Sequence, residues 1–166
     1  MGVVETGGLS VNERPYEPSD LGQVIALYGA SIHSLAAPFY TPEQLAAWAP
    51  ANPDVGRWQQ RLAPLHTIVA EQDGVIIGFA SYELNGHFDL LFTHPAFARQ
   101  GVATRLYRHV ESALRAAGVA RVFTEASLAA RPFFERCGFR VDAEQVVECR
   151  GAQLRRYAMH KQIHDA

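Results

Sequence analysis

The 166-residue sequence has few cysteines and no motif built on them. Cys137 and Cys149 have neither the close spacing of a redox or zinc motif nor the number that a disulfide-rich secreted scaffold needs. We expect both to be reduced thiols, with Cys137 in the core rather than acting as a nucleophile. The histidines also lack metal-ligand spacing, because His160 and His164 lie in a C-terminal segment with no predicted helix. No metal is expected.

The sequence also lacks the features of a nucleic-acid-binding or membrane protein. Its formal net charge is -2, whereas phosphate-backbone binding leaves a basic excess. No stretch approaches the roughly 18 apolar residues of a membrane span, and the first residues show no basic segment followed by an apolar run. We therefore expect a cytoplasmic protein with a small-molecule or protein partner, and neither nucleic acid nor membrane.

No repeat, low-complexity tract or flexible linker divides the chain. Its length is enough for one hydrophobic core and too short for two ordinary domains. We predict a flexible tail over residues 1–10, one domain over 11–161, and a C-terminal tail over 162–166.

Caps, turns and periodicity predict mixed α and β structure. Asp73-Gly74 and Asn85-Gly86 are the strongest short signals for β-hairpins, so three consecutive strands should form an antiparallel meander. The predicted order is a strand near 12–16, helices after Asp20 and Thr41, a short helix around 58–62, strands over 65–71, 75–84 and 87–93, a helix from 102 to Gly118, a strand over 121–125, a helix ending near Cys137, and strands over 139–147 and 153–160.

The most informative segment lies where an apolar strand ends at His94-Pro95 and a short loop leads to Gly101 at the start of an amphipathic helix. Unpaired backbone N–H groups and the helix dipole favour a phosphate at such a point. Gly101 and Ala103 would let a ligand approach the backbone closely. No Lys-Ser or Lys-Thr follows the glycine, and the GxGxxG pattern is absent, so kinase-type and dinucleotide loops are disfavoured.

Two motifs resemble the GNAT superfamily of N-acetyltransferases. The run ARQGVA at 98–103, after THP at 93–95, resembles the pyrophosphate loop Gln/Arg-x-x-Gly-x-Gly/Ala, with Ala98 as a departure at its first position. Residues 127–139 resemble the second motif, N-x-x-A-x-x-F-Y-x-x-x-G-F, with Ser127 in place of Asn and Phe134 in place of Tyr. The same stretch is similar to the YafP-like branch, and the resemblance covers about residues 12–161.

The resemblance implies an α/β fold with a mostly antiparallel mixed sheet of about seven strands, flanked by helices, whose central strands splay apart. It also implies acetyl-coenzyme A as cosubstrate, with its pantetheine arm against the backbone of the strand before the loop. Ser127 could instead be a helix cap. The coenzyme-binding residues that it implies are Leu91, Phe92, Thr93, Arg99, Gln100, Gly101, Val102, Ala103, Thr104, Ser127 and Phe134.

Acetyl transfer to an amine requires a proton acceptor. An amine has a pKa near 10, so its neutral form costs roughly 4 to 5 kcal/mol at pH 7. Strand alternation places Asp89 on one face with His87, Leu91 and Thr93, and makes it the first candidate base. Glu125, at the end of the next strand, is the second, although an ion pair with Arg131 is an alternative.

The general acid is left open by Phe134, which stands where the family often has a tyrosine. Tyr82, Tyr107 and Tyr157 could substitute, or water could protonate the leaving thiolate.

The favoured function is transfer of an acetyl group to a primary amine of a small molecule or peptide, by direct attack in a ternary complex. The alternatives are a non-catalytic coenzyme A sensor and an interaction module without ligand. The acceptor is not identified, although Glu43 and Asp54 could hold a cationic amine. Oligomeric state is also open, with a homodimer as one alternative.

Overall fold

The structure, a computed structural model, describes residues 10–163, so residues 1–9 of the predicted N-terminal tail and 164–166 of the predicted C-terminal tail lie outside it. No described helix is both long and apolar enough to cross a membrane. The elements are β1 (Asn12–Pro15), α1 (Leu21–Leu35), α2 (Pro42–Trp48), α3 (Val55–Leu62), β2 (His66–Gln72), β3 (Val75–Tyr82), β4 (Phe88–Thr93), α4 (Val102–Ala116), β5 (Arg121–Ser127), α5 (Arg131–Arg136), β6 (Arg140–Cys149) and β7 (Ala152–Gln162).

The strands form two antiparallel sheets, β1-β2-β3-β4 and β5-β7-β6. Their facing edges, β4 and β5, meet where His87 and Phe123 form a parallel bridge. The Phe123 N–H donates to the Gly86 carbonyl at 3.0 Å in the same place. The predicted mixed α/β fold with seven strands flanked by helices is confirmed, and the two central strands are adjacent and parallel at their start. Beyond the bridge, β4 and β5 belong to different sheets.

Gly86 makes this junction possible. Its φ is +102°, a conformation that favours glycine, and a β-carbon there would lie 2.2 Å from the Arg121 carbonyl oxygen. The predicted turn at Asn85-Gly86 therefore also brings the start of β4 against β5.

Helices cover both faces of the strands and bury the core in two clusters. On one face α4 presents a stripe of Val102, Leu106, Val110 and Leu114, each at most 3% exposed, as its four-residue period predicts. On the other face α1, α2 and α3 surround a second cluster with Phe79 and Leu90 of the sheet. Burial of each such side chain contributes roughly 1.5–3 kcal/mol to folding.

Two of the predicted caps are present at the helix ends, whereas Asp20, at the predicted start of α1, makes no side-chain cap hydrogen bond. Thr41 and Gln44 form a reciprocal capping box at the start of α2, and Gly118 follows α4 with a φ of +78°. At the C-terminus β7 continues to Gln162, and the Ile163 N–H donates to the Ala120 carbonyl at 2.8 Å. Ordered structure therefore extends two residues beyond the predicted domain boundary at 161.

Candidate active site

A cleft of about 1320 Å³ opens where β4 and β5 separate. Asp89 and Phe92 of β4 line it from one side, and Glu125 and Ser127 of β5 line it from the other. Since β4 is the last strand of its sheet, its backbone on this side has no neighbouring strand beyond the bridge. That open edge is available to an extended ligand.

A β-bulge directs Asp89 into the cleft. Ser81 pairs with Leu90 and Tyr82 pairs with Phe88, so Asp89 is the extra residue on β4. Leu91 consequently packs against the first cluster, whereas Leu90 lies in the second. The prediction that simple alternation places Asp89 on the face of Leu91 is wrong, because the bulge shifts the side-chain alternation by one residue. Asp89 nevertheless lines the cleft, with Oδ1 3.7 Å from Nη2 of Arg61.

Glu125 is held by a histidine rather than by an arginine. Its Oε2 lies 2.7 Å from Nε2 of His87, and Nδ1 of His87 lies 3.0 Å from Oε2 of Glu83. The predicted alternative, an ion pair with Arg131, is wrong, because Arg131 donates to Glu135 at 2.6 Å. The side chain of Glu125 is therefore held in place by a histidine immediately before β4.

The two partners shift each other's pKa. The hydrogen bond with Glu125, aided by Glu83, raises the pKa of His87 to about 9 against partial burial. The hydrogen bond from His87 holds the pKa of Glu125 below its usual range. At neutral pH His87 is thus an imidazolium placed between Glu83 and Glu125, and Glu125 is ionised. Within residues 10–163, no cluster of three His, Cys, Asp or Glu side chains could hold a metal ion.

The loop before α4 has the geometry of an anion site. Gly101 is left-handed, with a φ of +84°, and a β-carbon there would meet no protein atom within 4 Å. The Arg105 N–H is bonded to the Gly101 carbonyl at 3.0 Å, so the N–H groups of Val102, Ala103 and Thr104 precede the first intrahelical bond. Arg99 and Gln100 are exposed on the adjoining loop. These residues fit a pyrophosphate group.

A second groove, of about 290 Å³, continues from this loop between α4 and α5. Its lining includes Thr104, Tyr107, Arg108, Glu111, Phe133 and Arg136, so it combines two cations with one acidic side chain and two aromatic rings. Cys137 also borders it, and burial raises the pKa of that thiol, which disfavours a thiolate nucleophile as predicted.

Two further predicted coenzyme contacts, Ser127 and Phe134, lie in different surroundings. The Ser127 hydroxyl accepts from the Ala130 N–H at 3.1 Å, so it caps the turn before α5 while the residue also lines the cleft. Phe134 is only 3% exposed and packs against Phe88 and Phe139 in the core. Its ring therefore belongs to the core and lines neither groove.

The three tyrosines considered as acids are engaged outside the cleft. Tyr82 stacks on His66, Tyr107 accepts a hydrogen bond from Lys161, and the guanidinium of Arg131 covers Tyr157. Two other tyrosines, which no sequence motif singled out, line the cleft instead. The Tyr40 hydroxyl donates to the Arg155 carbonyl at 2.7 Å and accepts from the Leu128 N–H at 2.9 Å, whereas burial raises the pKa of Tyr28.

Comparison with known proteins agrees with this geometry. A family model described as an acetyltransferase (GNAT) domain matches residues 36–161. The uncharacterized N-acetyltransferase YafP of Escherichia coli K12 is 33% identical over 150 residues, which cover 90% of this chain and 95% of YafP. The chain therefore belongs to the GNAT acetyltransferase family, within which it is YafP-like. It is accordingly an acyltransferase.

Solved structures show the same fold. A GCN5-related N-acetyltransferase from Rhodopseudomonas palustris superimposes with a TM-score of 0.88 at 33% identity, covering 92% of this chain and 96% of its own. PaiA from Thermoplasma acidophilum, solved with coenzyme A, has a TM-score of 0.72 at 17% identity, with coverage of 92% and 99%. YncA from Salmonella typhimurium, solved with acetyl-coenzyme A, has a TM-score of 0.69 at 18% identity, with coverage of 94% and 95%.

Proposed function

We propose that the domain predicted over residues 11–161 is an acetyl-coenzyme A-dependent N-acetyltransferase. It transfers the acetyl group to a primary amine of a small molecule or peptide by direct attack in a ternary complex. The observation that carries this proposal is the convergence of three features: the anion site at Gly101, the open edge of β4, and a cleft with carboxylates at Asp89 and Glu125.

The chain offers a continuous binding surface for the coenzyme. The N–H groups of Val102, Ala103 and Thr104 bind the pyrophosphate, and the cations of the groove between α4 and α5 attract its remaining phosphate. The backbone of β4 around Phe92 pairs with the pantetheine arm. The coenzyme, when bound, supplies an acetyl thioester at the cleft. Phe134 and the side chain of Leu91 support the core and do not touch it.

Glu125 and Asp89 have different roles toward the acceptor amine. His87 keeps Glu125 ionised, which makes Glu125 a stable anion for attracting and orienting the ammonium and a weaker proton acceptor. Asp89, directed into the cleft by the bulge, accepts the proton, directly or through water, and so generates the nucleophilic amine. The cleft holds both reactants together. Phe134 carries no hydroxyl and the Tyr40 hydroxyl already donates to the Arg155 carbonyl, so we assign protonation of the departing thiolate to water.

A panel of primary amines tests the proposal. Thiol release with acetyl-coenzyme A, together with the mass of each product, would show whether an amine gains an acetyl group. The expected result is amine-dependent thiol release with a product roughly 42 mass units heavier, the difference between one acetyl group and one proton. A non-catalytic sensor, the alternative raised by Phe134, would bind acetyl-coenzyme A and return it intact with every amine.

A further inference from the structure

Five aromatic rings form a connected surface along the cleft. Trp58 and Tyr28 have ring centroids 4.6 Å apart, and Tyr28 and Phe92 are 4.7 Å apart. The series continues from Phe92 to Trp48 at 6.5 Å and from Trp48 to Tyr40 at 5.4 Å. All five residues line the cleft. Tyr28, Tyr40 and Trp58 are only 7–9% exposed, so each presents a small part of its ring to the cleft, whereas Trp48 and Phe92 present more. Such a surface fits an aromatic body, which gains edge-to-face and stacked contacts in addition to apolar burial.

A pair of opposite charges lies at one end of this surface. The carboxylate of Asp89 and the guanidinium of Arg61 are 3.7 Å apart, a distance longer than a hydrogen bond. The same guanidinium is 5.7 Å from the centroid of the Trp58 ring. Both groups line the cleft, so each can pair with a ligand charge of the opposite sign while they remain neighbours.

Arg57, one helical turn before Arg61, adds a second cation to this wall. In the part of the chain that the structure describes, its side chain has no ion pair or hydrogen bond. On the opposite wall Arg155 is paired with Glu144, while Arg150 and Arg156 donate to the neutral oxygens of Ala47 and Gln145. Arg57 and Arg61 thus place two neighbouring cations on the α3 wall for an anionic group in the cleft.

We infer that the acceptor is a free α-amino acid with an aromatic side chain. In such a molecule the ammonium and carboxylate are attached to the same carbon, which matches the neighbouring Asp89 and Arg61. The aromatic side chain then lies along the rings of Tyr28 and Trp58. A peptide N-terminus does not fit, because it has no α-carboxylate for Arg61 to bind. This inference rests on the proposed function and names the substrate class of the same cleft.

Binding can be measured without turnover, because the chain has two tryptophans and both line the cleft. Excitation at about 295 nm limits the contribution of tyrosine to the fluorescence. With coenzyme A present, the intrinsic fluorescence is followed on titration with L-phenylalanine, phenethylamine, phenylalaninamide and L-leucine. Calorimetry gives the affinities where the fluorescence change is small. L-phenylalanine should bind at least about tenfold more tightly than phenethylamine and phenylalaninamide, since a hydrogen bond to a charged group is worth that much. It should bind about threefold to tenfold more tightly than L-leucine, which keeps the carboxylate but lacks the aromatic contacts.

Variants identify the side chains responsible for the selective binding of phenylalanine. Arg61→Gln should reduce the preference for phenylalanine over phenethylamine to within about threefold, and Arg57→Gln should reduce it in part. Arg140→Gln is the matched control, because Arg140 is exposed on β6 and does not line the cleft. Trp58→Phe should remove most of the fluorescence response.

The outcomes separate this inference from the proposed function. If phenethylamine or phenylalaninamide binds as well as phenylalanine, the cleft does not recognise an α-carboxylate and the inference is overturned. If leucine binds as well as phenylalanine, the cleft does not select an aromatic side chain and the inference is again overturned. If phenylalanine binds selectively and no amine is acetylated, the proposed function fails while the assignment of the cleft stands. If other amines are acetylated and phenylalanine neither binds nor reacts, the inference fails and the proposed function stands.

Discussion

Nε2 of His87 lies 2.7 Å from Oε2 of Glu125, next to the parallel bridge that joins β4 to β5. The imidazole also stacks on Phe123, with ring centroids 4.9 Å apart. One residue therefore connects the two sheets through its backbone, its ring face and its ring nitrogen. The cleft opens immediately beyond this connection. His87 therefore both holds the two strands together at the start of the cleft and keeps Glu125 ionised.

The first prediction is that this pair makes stability pH-dependent. The folded-state pKa of His87, about 9, is above its unfolded value of 6.5, so its stabilisation is complete below pH 6.5 and is lost as the pH rises through 9. The acidic groups that face it are Glu83, Glu125 and Asp89. Between pH 6 and 9.5, the free energy of unfolding should fall by about 1–3 kcal/mol more in the parent than in His87→Gln.

Urea unfolding at several pH values measures this difference. Glu125 does not account for a loss in this window, because its pKa is lowered and its stabilisation is lost only as the pH falls below about 4.5. Parallel pH profiles for the parent and His87→Gln would contradict the coupling.

The second prediction concerns Gly101. Gly101→Val should weaken acetyl-coenzyme A binding at least about tenfold, because a β-branched residue strains the left-handed conformation and places methyl groups where the ligand approaches. Gly74→Val is a matched control in the β2–β3 turn, since Gly74 also has a positive φ, +77°, and a β-carbon added to it would likewise meet no atom within 4 Å. Calorimetry on folded variants decides: equal affinity for Gly101→Val and Gly74→Val would exclude a pyrophosphate site at Gly101.

The third prediction assigns the base. Asp89→Asn keeps the shape of the side chain and removes the proton acceptor, so turnover at pH 7 should fall on the order of 10²–10⁴-fold with coenzyme affinity unchanged. The loss should shrink as the pH rises, because more of the amine is then already neutral. Glu125→Gln should mainly raise the KM for the amine, since Glu125 orients the ammonium.

Steady-state kinetics over a pH series, with both variants side by side, separates the two roles. A turnover of Asp89→Asn within a few fold of the parent, combined with a large fall for Glu125→Gln, would transfer the role of base to Glu125. If neither variant loses turnover, bulk solvent deprotonates the amine and the cleft acts by holding the reactants together.

Local sequence signals predicted most of the fold. Asp73-Gly74 and Asn85-Gly86 set the hairpins because few residues adopt positive φ, and the apolar period of α4 matches its buried stripe. The division of the strands into two sheets had no such signal. It depends on Gly86 approaching Arg121, a contact between residues distant in sequence.

The candidate site was predictable only in part, because several of its features also depend on contacts between residues distant in sequence. The anion loop at Gly101 is local, so its residues could be read from the helix start. The bulge at Asp89 is a shift between two strands, and the partner of Glu125 lies 38 residues away in His87. The aromatic surface joins α1, α2, α3, β4 and Tyr40 between α1 and α2, and none of these segments has an aromatic pattern of its own. On the α3 side of the cleft, the one signal in the sequence was the spacing of Arg57 and Arg61, which are four residues apart and so lie on the same face of the helix.

The last prediction concerns Gly29, in the interior of α1. Gly22, Ala26 and Gly29 share the face of α1 that lines the cleft, and a β-carbon on Gly29 would meet no atom within 4 Å. Gly29→Ala should therefore raise the free energy of unfolding by about 0.5–1 kcal/mol, because alanine restricts the unfolded chain and favours the helix. Gly29→Leu should keep coenzyme affinity but raise the amine KM at least about tenfold, since its side chain occupies the acceptor space. Urea unfolding and steady-state kinetics on the two variants give both quantities, with Gly29→Ala as the size control. An unchanged amine KM in Gly29→Leu would show that the acceptor does not bind against α1, and the acceptor surface would then have to lie on the β6–β7 side of the cleft.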